Sequence, residues 1–544
     1  MSGQTTALLE QLLGRGRRLI VASNRGPLTF SFDPEAPDGL RCQRGAGGLV
    51  TALGELGRHA PITWVAVAAN PADRFVAFEL ARTHLPIRSR PARLRPLARA
   101  VRNLLAEAMP DQDVQLRYVD VPDEIYLPHY EVVSNPFLWF LQHQMYALPY
   151  GPMVDGSLLD AWRTGYRPVN VAVAEAVVEA AGRDRSPVVL LQDYHLYLAA
   201  ARLRELRPEA TILHFTHVPW PPDSVWQVLP LGLRRAICEG LLACDIVGLQ
   251  TDRYASHFLD TVASFVREAR VDRDGRSIRW RNRRVRVRSY PISIDPVGLA
   301  RFARSAAVEE RVARLVERLE RAGNPRLIVR ADRIEPSKNA LRGFLAYEEL
   351  LERRPDLRET TRFLAVQAPT RTAIPEYSAY AAAVREVVAR VNGLADPEEA
   401  PIWISDGTDY AMAIAALRLA DVVVVNPVVD GMNLVAKEAI LVGERDPVIV
   451  LSETAGAAEQ LADDCLLVAP ADVTGTATAI ERALAMPRDE RRARLRRLRA
   501  SVREEDIRWW LTRQLRDLIA VRRGQQPPSR RLRDEVRRAQ VVAE

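Results

Sequence analysis

Cysteine is scarce: Cys42, Cys238, Cys244 and Cys465 are the only four in 544 residues, and none belongs to a C-x-x-C pair or sits beside a histidine cluster. This spacing excludes a disulfide framework and a cysteine-rich zinc site, so reduced structural thiols and no metal are expected. No apolar run is long enough to span a bilayer, and residues 1–16 are polar and arginine-bearing without the apolar centre of a secretory signal. A cytoplasmic enzyme with no membrane partner is the default expectation. The G-x-G-x-x-G fingerprint is missing, so a nicotinamide dinucleotide cofactor is not indicated. No short repeat recurs, although the two halves of the chain are alike in pattern.

What the chain does carry is length, apolar content and a modest basic excess. At 544 residues and 48% hydrophobic composition it divides into two or more domains with sizeable cores. The 76 basic and 69 acidic residues leave a formal charge of +7, which suits a phosphorylated small substrate as readily as nucleic acid. In the arginine-rich stretch 491–502, Leu495, Leu498 and Val502 fall at helical spacing. A solvated surface helix accounts for those arginines, and no nucleic-acid partner is expected.

Short apolar runs alternate with helical patterns at 19–22, 62–68, 188–191, 212–215, 246–249 and 290–294, and again at 327–329, 363–366, 402–404, 422–425, 448–451 and 466–468. Strands alternating with helices imply parallel α/β sheets. The expected architecture is two doubly wound, Rossmann-like domains facing a central cleft: residues 1–300, then residues 301–522. The last helix is free to pack back on the first domain, and residues 523–544, with Pro527-Pro528 and mixed charge, form a flexible tail.

Five motifs accompany the ends of predicted strands, where a parallel sheet presents ligand groups. After the run at 422–425, Asp430-Gly431-Met432-Asn433 leads into the helix former Leu434-Val435-Ala436-Lys437-Glu438. Backbone N–H groups and a helix start there suit an anion, and Asp430 with Glu438, two turns into the helix, flank one ligand. Arg333 and Lys338, five apart in a loop, form a cation pair able to neutralise a departing diphosphate without metal. After the first strand, Ser23-Asn24-Arg25-Gly26-Pro27 is followed by Gly45-Ala46-Gly47-Gly48 before a helix, where glycines let backbone approach a phosphate. Gln192-Asp193-Tyr194-His195 and His214-Phe215-Thr216-His217 end two further strands. Each motif alone also reads as an ordinary turn with solvated charges, and His195 and His214 as hydrogen-bonded structural residues.

Together the motifs resemble the trehalose-6-phosphate synthase family, retaining glycosyltransferases of the two-Rossmann GT-B fold, over about residues 19–518. The resemblance implies that Gly47 and Gly48 approach the donor phosphates and that Arg333 and Lys338 clamp the diphosphate. It places Asp430 and the backbone of Gly431, Met432 and Asn433 on the donor glucose, the Leu434 and Val435 amides near phosphate, Glu438 on ribose and His217 by the donor sugar. Arg25, Tyr130, Trp139, Asp193 and Arg371 are implied for the acceptor, the two arginines matching its phosphate charge. The implied reaction moves glucose from UDP-glucose or GDP-glucose to glucose 6-phosphate, giving trehalose 6-phosphate. It proceeds by front-side attack, with Arg333, Lys338, Asp193 and His217 at the reaction centre and no cofactor.

The chain departs from the family in places. Residues 63–68 lack the second tryptophan that many members carry, and Pro336 and Asn339 replace a more usual tyrosine and glycine around Lys338. Related activities therefore stay open: another phosphorylated polyol acceptor, a pseudo-glycosyltransferase coupling cyclitols, or a non-catalytic sugar-phosphate sensor. A homo-oligomer is also left open. A trehalose-phosphate phosphatase is the expected downstream partner.

Overall fold

Leu19–Ser23, Val188–Gln192 and Thr211–Phe215 are buried at every position, a pattern that strands reach when helices cover both faces of their sheet. The structure, a computed structural model, describes residues 2–14, 16–36, 39–44, 53–54, 56–81, 95–109, 112–145, 153–371, 374–393, 395–396 and 399–524. The chain divides into two compact units. Met1–Trp139, Pro149–Tyr290 and Leu511–Glu544 make the first; Phe140–Leu148 and Pro291–Trp510 make the second.

The first unit holds β1 (Leu19–Ser23), β2 (Leu28–Phe32), β3 (Leu40–Arg44), β4 (Ile62–Val67), β5 (Val114–Val119), β6 (Val188–Gln192), β7 (Thr211–Phe215), β8 (Ile246–Leu249), β9 (Arg270–Asp272), β10 (Ser277–Trp280) and β11 (Arg283–Ser289). Apart from the β2-β3 hairpin, these strands form one sheet in the order β5-β4-β1-β6-β7-β8-β11-β10-β9. Pairing is parallel from β5 to β11 and antiparallel from β11 to β9. Strand order reverses between β1 and β6, so the loops leaving their carboxyl ends diverge and open a crevice there.

The second unit holds β12 (Arg326–Arg333), β13 (Thr361–Ala368), β14 (Ile402–Asp406), β15 (Val422–Val425), β16 (Val448–Ser452) and β17 (Leu466–Val468). They form a parallel sheet in the order β14-β13-β12-β15-β16-β17. Its reversal lies between β12 and β15. One face is closed by a core including Phe344, Tyr347, Leu350, Phe363, Ile402, Val422 and Val450.

Two expectations need correction. The run at 290–294 is not a strand; the strand is β11, immediately before it. In β11 the buried Val285 and Val287 alternate with arginines, and those arginines break the continuous apolar run that marks the other strands. The helix after the Asp430 loop begins at Leu434, which puts Glu438 one turn in rather than two. The stretch 491–502 is helical within Arg488–Glu504, with Leu495, Leu498 and Val502 on the buried side. Among the described residues no helix is long and apolar enough to cross a membrane, and no group of three His, Cys, Asp or Glu side chains is placed to hold a metal ion. The tail beyond residue 524 and the glycines at 45–48 lie outside the described residues.

Candidate functional site

At the switch point of the second sheet the turns after β12 and β15 are laced together. Val428 N donates to Ser337 O at 2.8 Å. Behind them Arg330, 1% exposed, donates to the Asp332 carboxylate at 2.5 Å and to Lys338 O at 3.0 Å. Asn339 closes the first turn at φ +60°, a left-handed conformation that asparagine tolerates better than other side-chain-bearing residues. Its amide donates to Asn426 O at 2.9 Å and Pro470 O at 2.7 Å, so asparagine adds two ties that glycine would lack.

This scaffold brings Lys338 to Asp430: Nζ donates to Oδ2 at 2.6 Å, with side chains 17% and 14% exposed. Burial pushes the Asp430 carboxyl upward, but the Lys338 ammonium, its hydrogen bond and the Asn433 amide, 3.1 Å away, together hold it below its ordinary value. Asn433 sits at φ +77° and begins the helix Leu434–Val442, whose first amides have no partner within the helix. The loop is pinned from below, because Gly456 N donates to Asp430 O and Ala457 N to Met432 O. A Cβ at Gly456 would lie 1.9 Å from Gly431 O, so only glycine lets the two backbones meet. Glu438 accepts from the Tyr410 hydroxyl at 2.8 Å; burial raises its carboxyl and the tyrosine bond opposes the rise.

Arg333, 47% exposed, reaches the fully buried Glu335 at 3.1 Å. Arg371, on the turn after β13 at φ +49°, donates to the Tyr377 hydroxyl at 2.6 Å. Arg333 at the end of β12, Lys338 in the turn after it, Asp430, Gly431, Met432 and Asn433 in the turn after β15, and Leu434, Val435 and Glu438 in the helix that follows thus all lie at the carboxyl ends of these two strands of the second unit.

The first unit gathers a second set at its own switch point. Arg25, exposed after β1, donates to the Tyr130 hydroxyl at 2.7 Å. Tyr130 stacks on His195, with centroids 6.1 Å apart. Asp193, after β6, holds φ +70° and its Oδ1 accepts from His217 N at 3.1 Å. His217 Nε2 meets Gln192 Oε1 at 3.0 Å. Burial, reinforced by nearby His214, pushes the His217 ring down to about 3, so its imidazole is neutral at working pH. Trp139 is buried with its ring 5.8 Å from that of Tyr194.

The sequence profile of glycosyltransferase family 20 matches residues 17–520. The chain belongs to glycosyltransferase family 20. Among members similar to it, the validamine 7-phosphate valienyltransferase of Streptomyces hygroscopicus subsp. jinggangensis is 30% identical over 507 residues, covering 93% of this chain and 95% of that protein. The trehalose-6-phosphate synthase of Mycobacterium sp. (strain JLS) is 32% identical over 516 residues, 92% of this chain and 96% of its own. The crystal structure of an α,α-trehalose-phosphate synthase (UDP-forming) from Burkholderia xenovorans, in complex with glucose 6-phosphate, superposes with a TM-score of 0.73. It is 27% identical and covers 92% of this chain and 100% of that one. Its two sheets make this family 20 glycosyltransferase a GT-B protein.

Motif reading missed several residues that shape the site: Arg330 and Asn426 behind Lys338, Glu335 beside Arg333, and Gln192 against His217. One compositional signal pointed to the spot. Of 76 basic residues only two, Lys338 and Lys437, are lysine; Lys338 lies in the turn after β12 and Lys437 in the helix Leu434–Val442 that follows the turn after β15. Lys437 is 0% exposed and donates to Ile292 O at 3.0 Å. Where arginine serves everywhere else, a retained lysine marks a place that needs a compact ammonium.

Proposed function

We propose that this family 20 glycosyltransferase moves glucose from a nucleoside diphosphate glucose to glucose 6-phosphate, forming trehalose 6-phosphate. The observation that carries the reading is the pairing of Lys338 with Asp430 beside the free amides of the helix starting at Leu434. An ammonium next to a helix N-terminus suits a diphosphate, and the adjacent carboxylate, kept ionised, suits sugar hydroxyls. Arg333 completes the clamp, and Glu438 receives the ribose. Gly47 and Gly48 are assigned to the donor phosphates on the resemblance alone. On the first unit Arg25, Tyr130, Trp139 and Asp193 are assigned to the acceptor sugar phosphate; Arg371 is assigned to the acceptor phosphate on the resemblance alone. The glucose 6-phosphate held by the Burkholderia synthase supports that acceptor.

Chemistry follows from charge. As the C1–O bond to the diphosphate breaks, negative charge grows on the leaving oxygen, where Lys338 and Arg333 stabilise it; each such contact is worth roughly 3 kcal/mol. The acceptor hydroxyl forms the new C1–O bond from the same face and its proton passes to the departing phosphate oxygen, so configuration is retained. His217, neutral, serves as a hydrogen-bonding partner of the donor sugar rather than as an acid.

The UDP-forming name of the Burkholderia protein supports UDP as the donor nucleotide. A second reading, transfer of a cyclitol in place of glucose, is favoured by the valienyltransferase relative. Incubation with UDP-glucose and GDP-glucose, each with and without glucose 6-phosphate, separates these readings. Acceptor-dependent nucleoside diphosphate release with a hexose-disaccharide phosphate in the mass spectrum is expected. Silence with both glucose donors overturns it and moves weight to the cyclitol reading.

A further inference from the structure

Beneath the cation clamp lies a carboxylate that no role above employs. Glu335 is 0% exposed, yet it sits between the two clamp residues in the turn after β12. Its Oε1 accepts from Arg333 Nη2 at 3.1 Å and from Ser337 Oγ at 3.0 Å. Its backbone is bound on both sides: Glu335 N donates to Arg333 O at 2.8 Å and Lys338 N donates to Glu335 O at 3.0 Å. Oε2 is buried and has no hydrogen-bond partner among the described residues.

A buried carboxyl with one bare oxygen should lose its charge. Burial does push Glu335 upward, but Arg333, Lys338, Arg371 and His143 surround it and together hold it below its ordinary value. The ionised carboxylate is thus the shared counter-charge of a cation cluster that waits for an anionic ligand. Asp430 is the direct ion-pair partner of Lys338, and Glu335 is the carboxylate bonded to Arg333.

We propose that Glu335 is a positioning residue that sets both the place and the strength of the phosphate clamp: it aims Arg333 and limits how tightly the clamp holds a diphosphate, so that the product leaves. This rests on the assignment of Arg333 and Lys338 to the donor diphosphate. The limiting effect is Coulombic. A fixed negative charge behind the clamp repels every phosphate that enters, and within a partly desolvated turn one unit charge several ångströms away changes affinity by roughly tenfold.

The test is calorimetric titration of the full chain with inorganic pyrophosphate, alongside steady-state turnover. Glu335→Gln keeps the shape and the Ser337 contact and removes the charge; pyrophosphate is expected to bind about tenfold tighter while kcat falls, so KM and kcat drop together. A merely structural role loosens the turn and weakens binding, and unchanged or weaker pyrophosphate binding by folded E335Q overturns the proposal. Glu335→Asp retains the charge but no longer reaches Arg333, so affinity within about threefold of wild type with a turnover loss of about tenfold is expected. This variant decides the matter if E335Q does not fold, and wild-type turnover in E335D overturns the positioning role. Arg333→Ala is the control for the underlying assignment. If wild type binds no pyrophosphate, or R333A binds it as wild type does, the assignment fails and this proposal with it; if R333A loses binding and E335Q does not gain it, only this proposal fails.

Discussion

Arg333 and Lys338 look equivalent in the sequence and are not equivalent in the fold. Arg333 is 47% exposed and its partner Glu335 keeps Lys338 and Arg371 as further counter-charges. Arg333→Ala should therefore lower kcat by about 100-fold or more and leave the thermal midpoint within about 2 °C of wild type, read by coupled nucleotide release and by calorimetry. Lys338→Ala removes the ammonium that ion-pairs with Asp430, a carboxylate 14% exposed. It should lose similar activity and in addition about 1–3 kcal/mol of stability, measured by denaturant unfolding.

Lys437 makes a pH prediction. Burial lowers its ammonium from 10.5 to about 8, so between those values the unfolded chain holds a proton that the folded chain has released, and stability contributed by this group rises with pH. The difference in unfolding free energy between wild type and Lys437→Met should grow by about 1–2 kcal/mol from pH 8 to 9.5. A flat difference would show that the ammonium does not titrate in this window.

At the level of elements, the turns around β12 show how much was legible in the chain. The strands buried on both faces announced themselves, because continuous valine and leucine runs such as Val422–Val425 have few other readings. Arg333, Lys338, Asp430 and Glu438 stood out because each lies at or after the carboxyl end of such a strand. β5 and β11 were hidden, since polar and charged residues interrupt their apolar runs. Arg330, Glu335 and Asn426 were hidden for a different reason: a buried polar residue is defined by its partners, and those come from turns separated by up to 96 residues in sequence. Asn339 was noted only as a departure from glycine. The fold gives it a left-handed turn and two carbonyl partners, so both side-chain bonds and backbone strain enter its replacement. Thermal midpoints should rank wild type above Asn339→Gly above Asn339→Ala: glycine loses the two bonds, while alanine loses them and adds about 1 kcal/mol of strain. Equal midpoints for the glycine and alanine variants would remove the strain argument.

At the level of the whole molecule, the first unit is completed by chain that comes after the second. Asp517, 5% exposed, accepts from the Tyr290 hydroxyl at 2.7 Å and lies 3.6 Å from the Arg288 guanidinium. Arg522 reaches back to Leu12 O at 2.6 Å and to Ser186 O at 3.1 Å. Removing Ile507–Arg522 would take the Asp517 carboxylate away from the buried Tyr290 hydroxyl and from Arg288, each loss costing about 1–3 kcal/mol, and would uncover Leu515 and Leu518. A fragment of residues 1–290 should therefore melt at least about 10 °C below the first unit of the full chain, and addition of a synthetic 507–524 peptide should recover part of the difference.

The two lysines have a practical meaning as well. Lys437 is fully enclosed and Lys338 is 17% exposed. Apart from its α-amine, the protein thus offers an acylating reagent a single address. A small N-hydroxysuccinimide ester should add one adduct at Lys338, found by peptide mass mapping, and a nucleotide sugar should slow its arrival. If Lys338 belongs to the donor clamp proposed above, the scarcity of lysine makes it a built-in covalent reporter of that clamp.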